Sequence, residues 1–157
     1  MNTNIRFIPL DSQLFAPLFS KDKSELEKIG AYMFYADECP CYPCRVSLKD
    51  AEIGEQVLAL TYEHHSAQSP YRSSGPIFVR ADAKTANLSV NEVPTMLNHR
   101  VLSIRGYNSR GLMIAADTSP GTEIVDIVNQ QFADTNVDYI HIHNAGPGCF
   151  NCSVKRA

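Results

Sequence analysis

The sequence predicts an α+β fold: a mainly antiparallel, curved sheet of about seven strands with two helices, one packed on a sheet face. Three observations carry this. Short β-rich runs recur along the chain and are joined by Gly-, Pro- and Asn-containing turns. Short connections imply antiparallel neighbours, because parallel pairs need long crossovers. One well-formed amphipathic segment, residues 122–133, carries Ile124, Val125, Ile127, Val128 and Phe132 on one face.

The elements follow in order. Residues 5–9 alternate enough for a short first strand, and Phe15, Leu18 and Phe19 form a small apolar cluster. Ser20 is placed to cap a helix over 21–29, with Gly30 at the position where a glycine ends a helix. Residues 31–36 (AYMFYA) read as an aromatic strand. Residues 37–45 then form an irregular loop with Pro40 and Pro43. Val46 and Leu48 resume an extended pattern before a polar turn at 50–55. A strand over 57–62 ends at Glu63-His64-His65. A Ser/Pro/Gly-rich loop, 66–76, leads to a strand at 77–80. A polar excursion follows, then a helical turn near 93–99 with Pro94 at its start. A strand over 101–107 turns at Asn108-Ser109-Arg110-Gly111 into another over 112–116. The 122–133 helix, with Glu123 and Asp126 near its positive end, closes at 134–136 before a strand over 139–144.

That last strand opens the densest patch of chemistry, YIHIHNAGPGCFNC over 139–152. Period-two alternation sets Tyr139, His141 and His143 on one face and Ile140, Ile142 and Asn144 on the other. Gly146-Pro147-Gly148 is a turn signal. With a loop over 145–148, Asn144 pairs with Cys149, His143 faces Phe150, and His141 faces Cys152. A bulge shifts this by one residue, and the sequence leaves the register open.

At 157 residues the chain is long enough for one domain, 1–157, with a core that needs no staples. The formal net charge is −3, and the 14 basic residues are scattered. This argues against nucleic acid or an anionic membrane as partner. No apolar run is long enough to span a bilayer. The first six residues lack the pattern of a secretory signal, so a cytoplasmic location is expected. Five cysteines, an odd number, then read as thiols rather than a disulfide framework.

Three constellations carry chemistry. Cys39-x-Cys41-x2-Cys44 with Cys149-x2-Cys152 offers thiolates for zinc, with His141 or His143 as replacements. The prolines in the first run and the absence of two well-spaced C-x2-C pairs weigh against it, and no metal ligand or cofactor is assigned. Cys149 and His143 are the candidate catalytic pair, a thiol and a base on one hairpin. Arg45 and Arg72 are candidate anion clamps, since guanidinium forks suit carboxylate and phosphate. Tyr71, Glu63, His64, His141, Asn144 and Cys44 complete the expected ligand-binding set. Phosphate-loop and dinucleotide fingerprints are absent.

Pro43-Cys44-Arg45-Val46-Ser47-Leu48, Tyr62-Glu63-His64, the run from Pro70 to Arg80 (PYRSSGPIFVR) and the run from His141 to Cys149 (HIHNAGPGC) together resemble the DUF1203 family, small bacterial proteins of unknown function. The similarity runs from about Phe7 to Ala157, in matching order. Cys44 and Cys149 fall on its Pro-Cys-Arg and Pro-Gly-Cys elements. Cys39, Cys41 and Cys152 look like additions to that pattern. The resemblance implies a bacterial single-domain protein and no particular activity.

The expected function is binding of a small anionic metabolite in a pocket of Arg, His and Cys side chains, with thiol-dependent catalysis as an extension. The alternatives are a non-catalytic interaction or homodimerisation module built on Tyr/Phe-rich strands, and a zinc-stabilised Cys/His protein.

Overall fold

A computed structural model describes residues 2–157. It contains eight strands in two antiparallel sheets and two α-helices, the α+β class the sequence predicts. The strands divide between two sheets instead of forming one. The larger has the order β1-β8-β7-β5-β6, with β1 Ile5–Ile8, β5 Val101–Tyr107, β6 Met113–Pro120, β7 Tyr139–Asn144 and β8 Phe150–Arg156. The smaller has the order β2-β3-β4, with β2 Tyr32–Tyr35, β3 Gln56–His65 and β4 Ser73–Arg80.

The main core lies on one face of the five-stranded sheet. Helix α2, Ile124–Phe132, lays Ile124, Val128 and Phe132 against Ile104, Ile140, Ile142, Cys152 and Val154. These are the alternating apolar positions of β5, β7 and β8, so the pleat sends their polar neighbours to the opposite face. Gln131 ties the helix down: its Nε2 donates to the Ile104 carbonyl at 3.1 Å and to Asp117 Oδ2 at 2.7 Å. Arg156 donates to the Phe132 and Val137 carbonyls at the helix C-terminal end. That is where cations and spare donors stabilise a helix.

Four local expectations change. Helix α1 is shorter, Lys23–Lys28, and its N-cap is Asp22. Asp22 accepts from the Glu25 N–H while the Glu25 carboxylate accepts from the Asp22 N–H, a capping box that Ser20 cannot form. Strand β4 begins at Ser73, inside the expected loop; Pro76 is accommodated because β4 lies at the sheet edge. Strand β6 continues to Pro120, four residues past its expected end. Val46 and Leu48 are buried in a turn, with Leu48 at φ 55°, and do not form a strand.

The smaller sheet crosses the polar face of the larger one near β8. Arg45 makes this joint. Its backbone N–H donates to the Phe78 carbonyl in β4, and its Nε donates to the Phe150 carbonyl in β8 at 2.7 Å. Among the described residues, no helix is long and apolar enough to cross a membrane.

Candidate metal centre

The β7–β8 hairpin resolves the open register. Its turn keeps Asn144 against Cys149, and His143 pairs with Phe150. The ladder then shifts: Ile142 pairs with Cys152 and His141 with Ser153, leaving Asn151 as the extra residue of a bulge. The shared face therefore holds Tyr139, His141, His143, Phe150 and Ser153. Cys152, expected opposite His141, turns into the main core. Strand β5, on the other side of β7, sets Ser103 opposite His143, Arg105 opposite His141 and Tyr107 opposite Tyr139. Directly opposed residues share a face.

The end of β3 lies over this surface and brings His64 to it. The His64 ring is 4.9 Å from the His143 ring, 6.3 Å from the His141 ring, and stacked on Phe150 at 5.3 Å between centroids. One ring nitrogen from each of His64, His141 and His143 lies within 4.8 Å of the others. Tetrahedral zinc at about 2.0–2.1 Å from each nitrogen needs donors roughly 3.3 Å apart, so binding requires the three rings to draw together.

Two further properties suit the three rings to a metal. Each has a buried nitrogen without a hydrogen-bond partner: Nδ1 of His64, Nδ1 of His141 and Nε2 of His143. For His143 the tautomer follows from its other nitrogen, 2.8 Å from the Gly148 carbonyl. The Nδ1–H donates there, so Nε2 carries the bare lone pair, the arrangement that orients a ligating histidine. Burial, the largest cause, and neighbouring cations also push all three below the ordinary histidine value, to about 4 for His64 and about 3 for His141 and His143. They are neutral at physiological pH, as ligation requires.

His65, next in sequence, has neither property. Its Nδ1 meets the Tyr71 carbonyl at 2.8 Å and its Nε2 the Tyr139 hydroxyl at 2.6 Å, so both nitrogens are satisfied. It fixes the β3 end to β7 and has no free lone pair.

The expected site residues divide into those the fold gathers here and those it does not. His64, His141 and His143 converge. Tyr71 stands at the margin, its ring 6.2 Å from Tyr107. Arg45 and Arg72 do not form one clamp. Arg45 is bonded at the Phe78 end of β4 and Arg72 immediately precedes Ser73 at the other, about 20 Å apart at strand rise. Arg72 pairs with Glu63 at 3.1 Å, and both are exposed. Arg45 is fully buried, with Nη1 donating to the Pro43 carbonyl at 2.5 Å; burial draws its pKa down to about 10, so it stays cationic.

The cysteines do not assemble into a zinc site. Cys39 and Cys41 are exposed. Cys44 is buried in the smaller sheet's core, its sulfur accepting from the Ser47 and Arg80 N–H groups. Cys152 lies in the main core, where burial pushes its thiol up to about 12. The Cys149 sulfur accepts from Asn144 Nδ2 at 3.4 Å, and Asn144 Oδ1 accepts from Asn151. Among the described residues no hydrogen bond joins Cys149 to His143, the expected catalytic pair.

The profile of the family described as "Protein of unknown function (DUF1203)" matches residues 41–156. The chain belongs to the DUF1203 family. No curated protein and no solved structure matches it. The DUF1203 region contains all three converging histidines and the whole of β7 and β8.

The sequence did not single out Arg105, Tyr107, Ser153 or Lys155, which share the face of His141. Ser103, Arg105 and Tyr107 do alternate along β5, but only the β5–β7 register sets them beside the histidines.

Proposed function

We propose that this DUF1203 protein is a metal-binding protein of the zinc class, with His64, His141 and His143 as the protein ligands. The observation that carries this reading is the convergence of three neutral, buried imidazoles, each with an unpartnered nitrogen, from two separate sheets. An unpaired buried polar atom costs about 1–3 kcal/mol, and a cation held by a ring nitrogen offsets that cost at the atom it binds. Imidazole donors suit zinc and neighbouring transition metals better than magnesium or calcium, which prefer oxygen.

Three protein ligands leave a tetrahedral ion one open position, the mark of a reactive rather than a purely structural site. A depression of about 350 Å³ borders His64 and His141. A metal there would polarise a bound ligand or acidify a bound water. The reading therefore moves from the expected arginine clamp and thiol pair to a metal centre between the β7–β8 hairpin and the end of β3.

The test is metal content by plasma mass spectrometry after loading reduced, untagged protein with zinc and desalting. About one zinc per chain is expected, falling to near zero in His141→Ala and His143→Ala and staying near one in Cys149→Ser. Wild-type protein that retains no metal, or His variants that retain as much, contradicts the reading.

A further inference from the structure

The face around the three histidines has an unusual charge balance. Arg105 lies opposite His141 across the β5–β7 ladder, and Arg45 is bonded to the carbonyl of Phe150, the residue that pairs with His143. The depression at the mouth is lined by His64, His65, Ser66, Ala67, Tyr139, His141, Ser153 and Lys155, without an acidic residue. Lys155 and Ser153 alternate along β8 on the His141 face, and Lys155 makes no ion pair among the described residues. Arg105 flanks His141 from the opposite side, on β5. It is partly buried, its Nε donates to Ser103 Oγ at 3.1 Å, and it too has no carboxylate partner among the described residues.

A dication held by three neutral rings keeps its full charge. The depression beside it offers no carboxylate to offset that charge, and Lys155 and Arg105 add two cations. An anion from outside the chain would offset that charge. We propose that the ligand of this centre is a small oxyanion, a carboxylate or phosphate group, that takes the open metal position and is held by Lys155 at the mouth and Arg105 beside His141. Oxyanions suit both partners, since an ammonium binds them as a point charge and a guanidinium as a fork. Ser153 and Ser66 supply hydroxyl donors on the same walls. The inference rests on the metal reading, and it replaces Arg45 and Arg72 as the anion-holding pair with Lys155 and Arg105.

The experiment uses the full chain loaded with cobalt(II), whose visible absorption reports its coordination. Wild type, Lys155→Gln and Arg105→Gln are titrated with acetate, inorganic phosphate and, as a neutral control, imidazole. Expected is a saturable spectral change with at least one oxyanion, weakened about tenfold in each variant, with cobalt content and the imidazole response unchanged. Tighter phosphate than acetate marks the phosphate class, and the reverse marks carboxylates. Cobalt that binds and answers imidazole but not oxyanions overturns the inference and leaves the metal centre standing. So does an oxyanion response equal in all three proteins. Failure of wild type to bind cobalt at all overturns the metal reading itself.

Discussion

Three histidines held neutral by burial make the metal-free protein sensitive to acid. Their values in the folded chain, about 4, 3 and 3, lie below the unfolded value of about 6.5. Between those limits the unfolded chain binds more protons than the folded one, so stability rises with pH there. Stability is intact above about pH 6.5 and drains away as pH falls toward 4. Urea midpoints of metal-stripped protein at pH 7, 6, 5 and 4 check this. His141→Gln should flatten the decline, and an equally steep decline in that variant counts against the assignment. Arg45 gives a second prediction at this scale. It ties the Phe150 and Pro43 carbonyls together beneath the hairpin, without exposure to water. Arg45→Met should cost roughly 2–4 kcal/mol in urea unfolding, because two carbonyls lose a charged donor. The sequence placed His141 and His143 on one face correctly, since strand alternation is local information. It could not show that Asn151 is bulged, which sends Cys152 inward and Ser153 outward, because a bulge is decided by ladder pairing across the hairpin.

The elements were legible where their signals were local. Helix α2 announced itself by its apolar face, and the strands by their β-branched and aromatic runs. Their ends were less so. Asp22 displaced Ser20 as the cap of α1 because its partner Glu25 lies at the third helical position. One glycine has a role that only packing reveals. Gly121 starts the 3-10 turn leading into α2, and its N–H donates to the Arg100 carbonyl at 2.8 Å. A Cβ at that position would lie 1.7 Å from the Leu97 carbonyl oxygen and 2.6 Å from its carbon. Backbone cannot yield as a side-chain tip does, so Gly121→Ala should destabilise by about 3 kcal/mol or more. A thermal or urea melt checks it. A loss under about 0.5 kcal/mol, the size of an ordinary surface change, would show that the turn relaxes freely.

The whole molecule explains why the centre itself could not be read from the chain. His64 belongs to the three-stranded sheet, and His141 and His143 belong to the five-stranded one. Their meeting depends on how the sheets cross, and no spacing motif encodes that. The same arrangement means that a bound ion cross-links the two sheets and acts on the folding equilibrium as a ligand of the native state alone. At a hundredfold excess over its dissociation constant, zinc should add about 2.7 kcal/mol and raise the melting temperature by on the order of 5–10 °C. Magnesium, which lacks affinity for imidazole, should leave it unchanged. The most direct test of the three-histidine centre is X-ray absorption at the zinc edge of the loaded protein. The account predicts three imidazole nitrogens at about 2.0–2.1 Å with one light oxygen ligand and no sulfur. Sulfur scattering near 2.3 Å would instead assign the metal to the cysteines and contradict it.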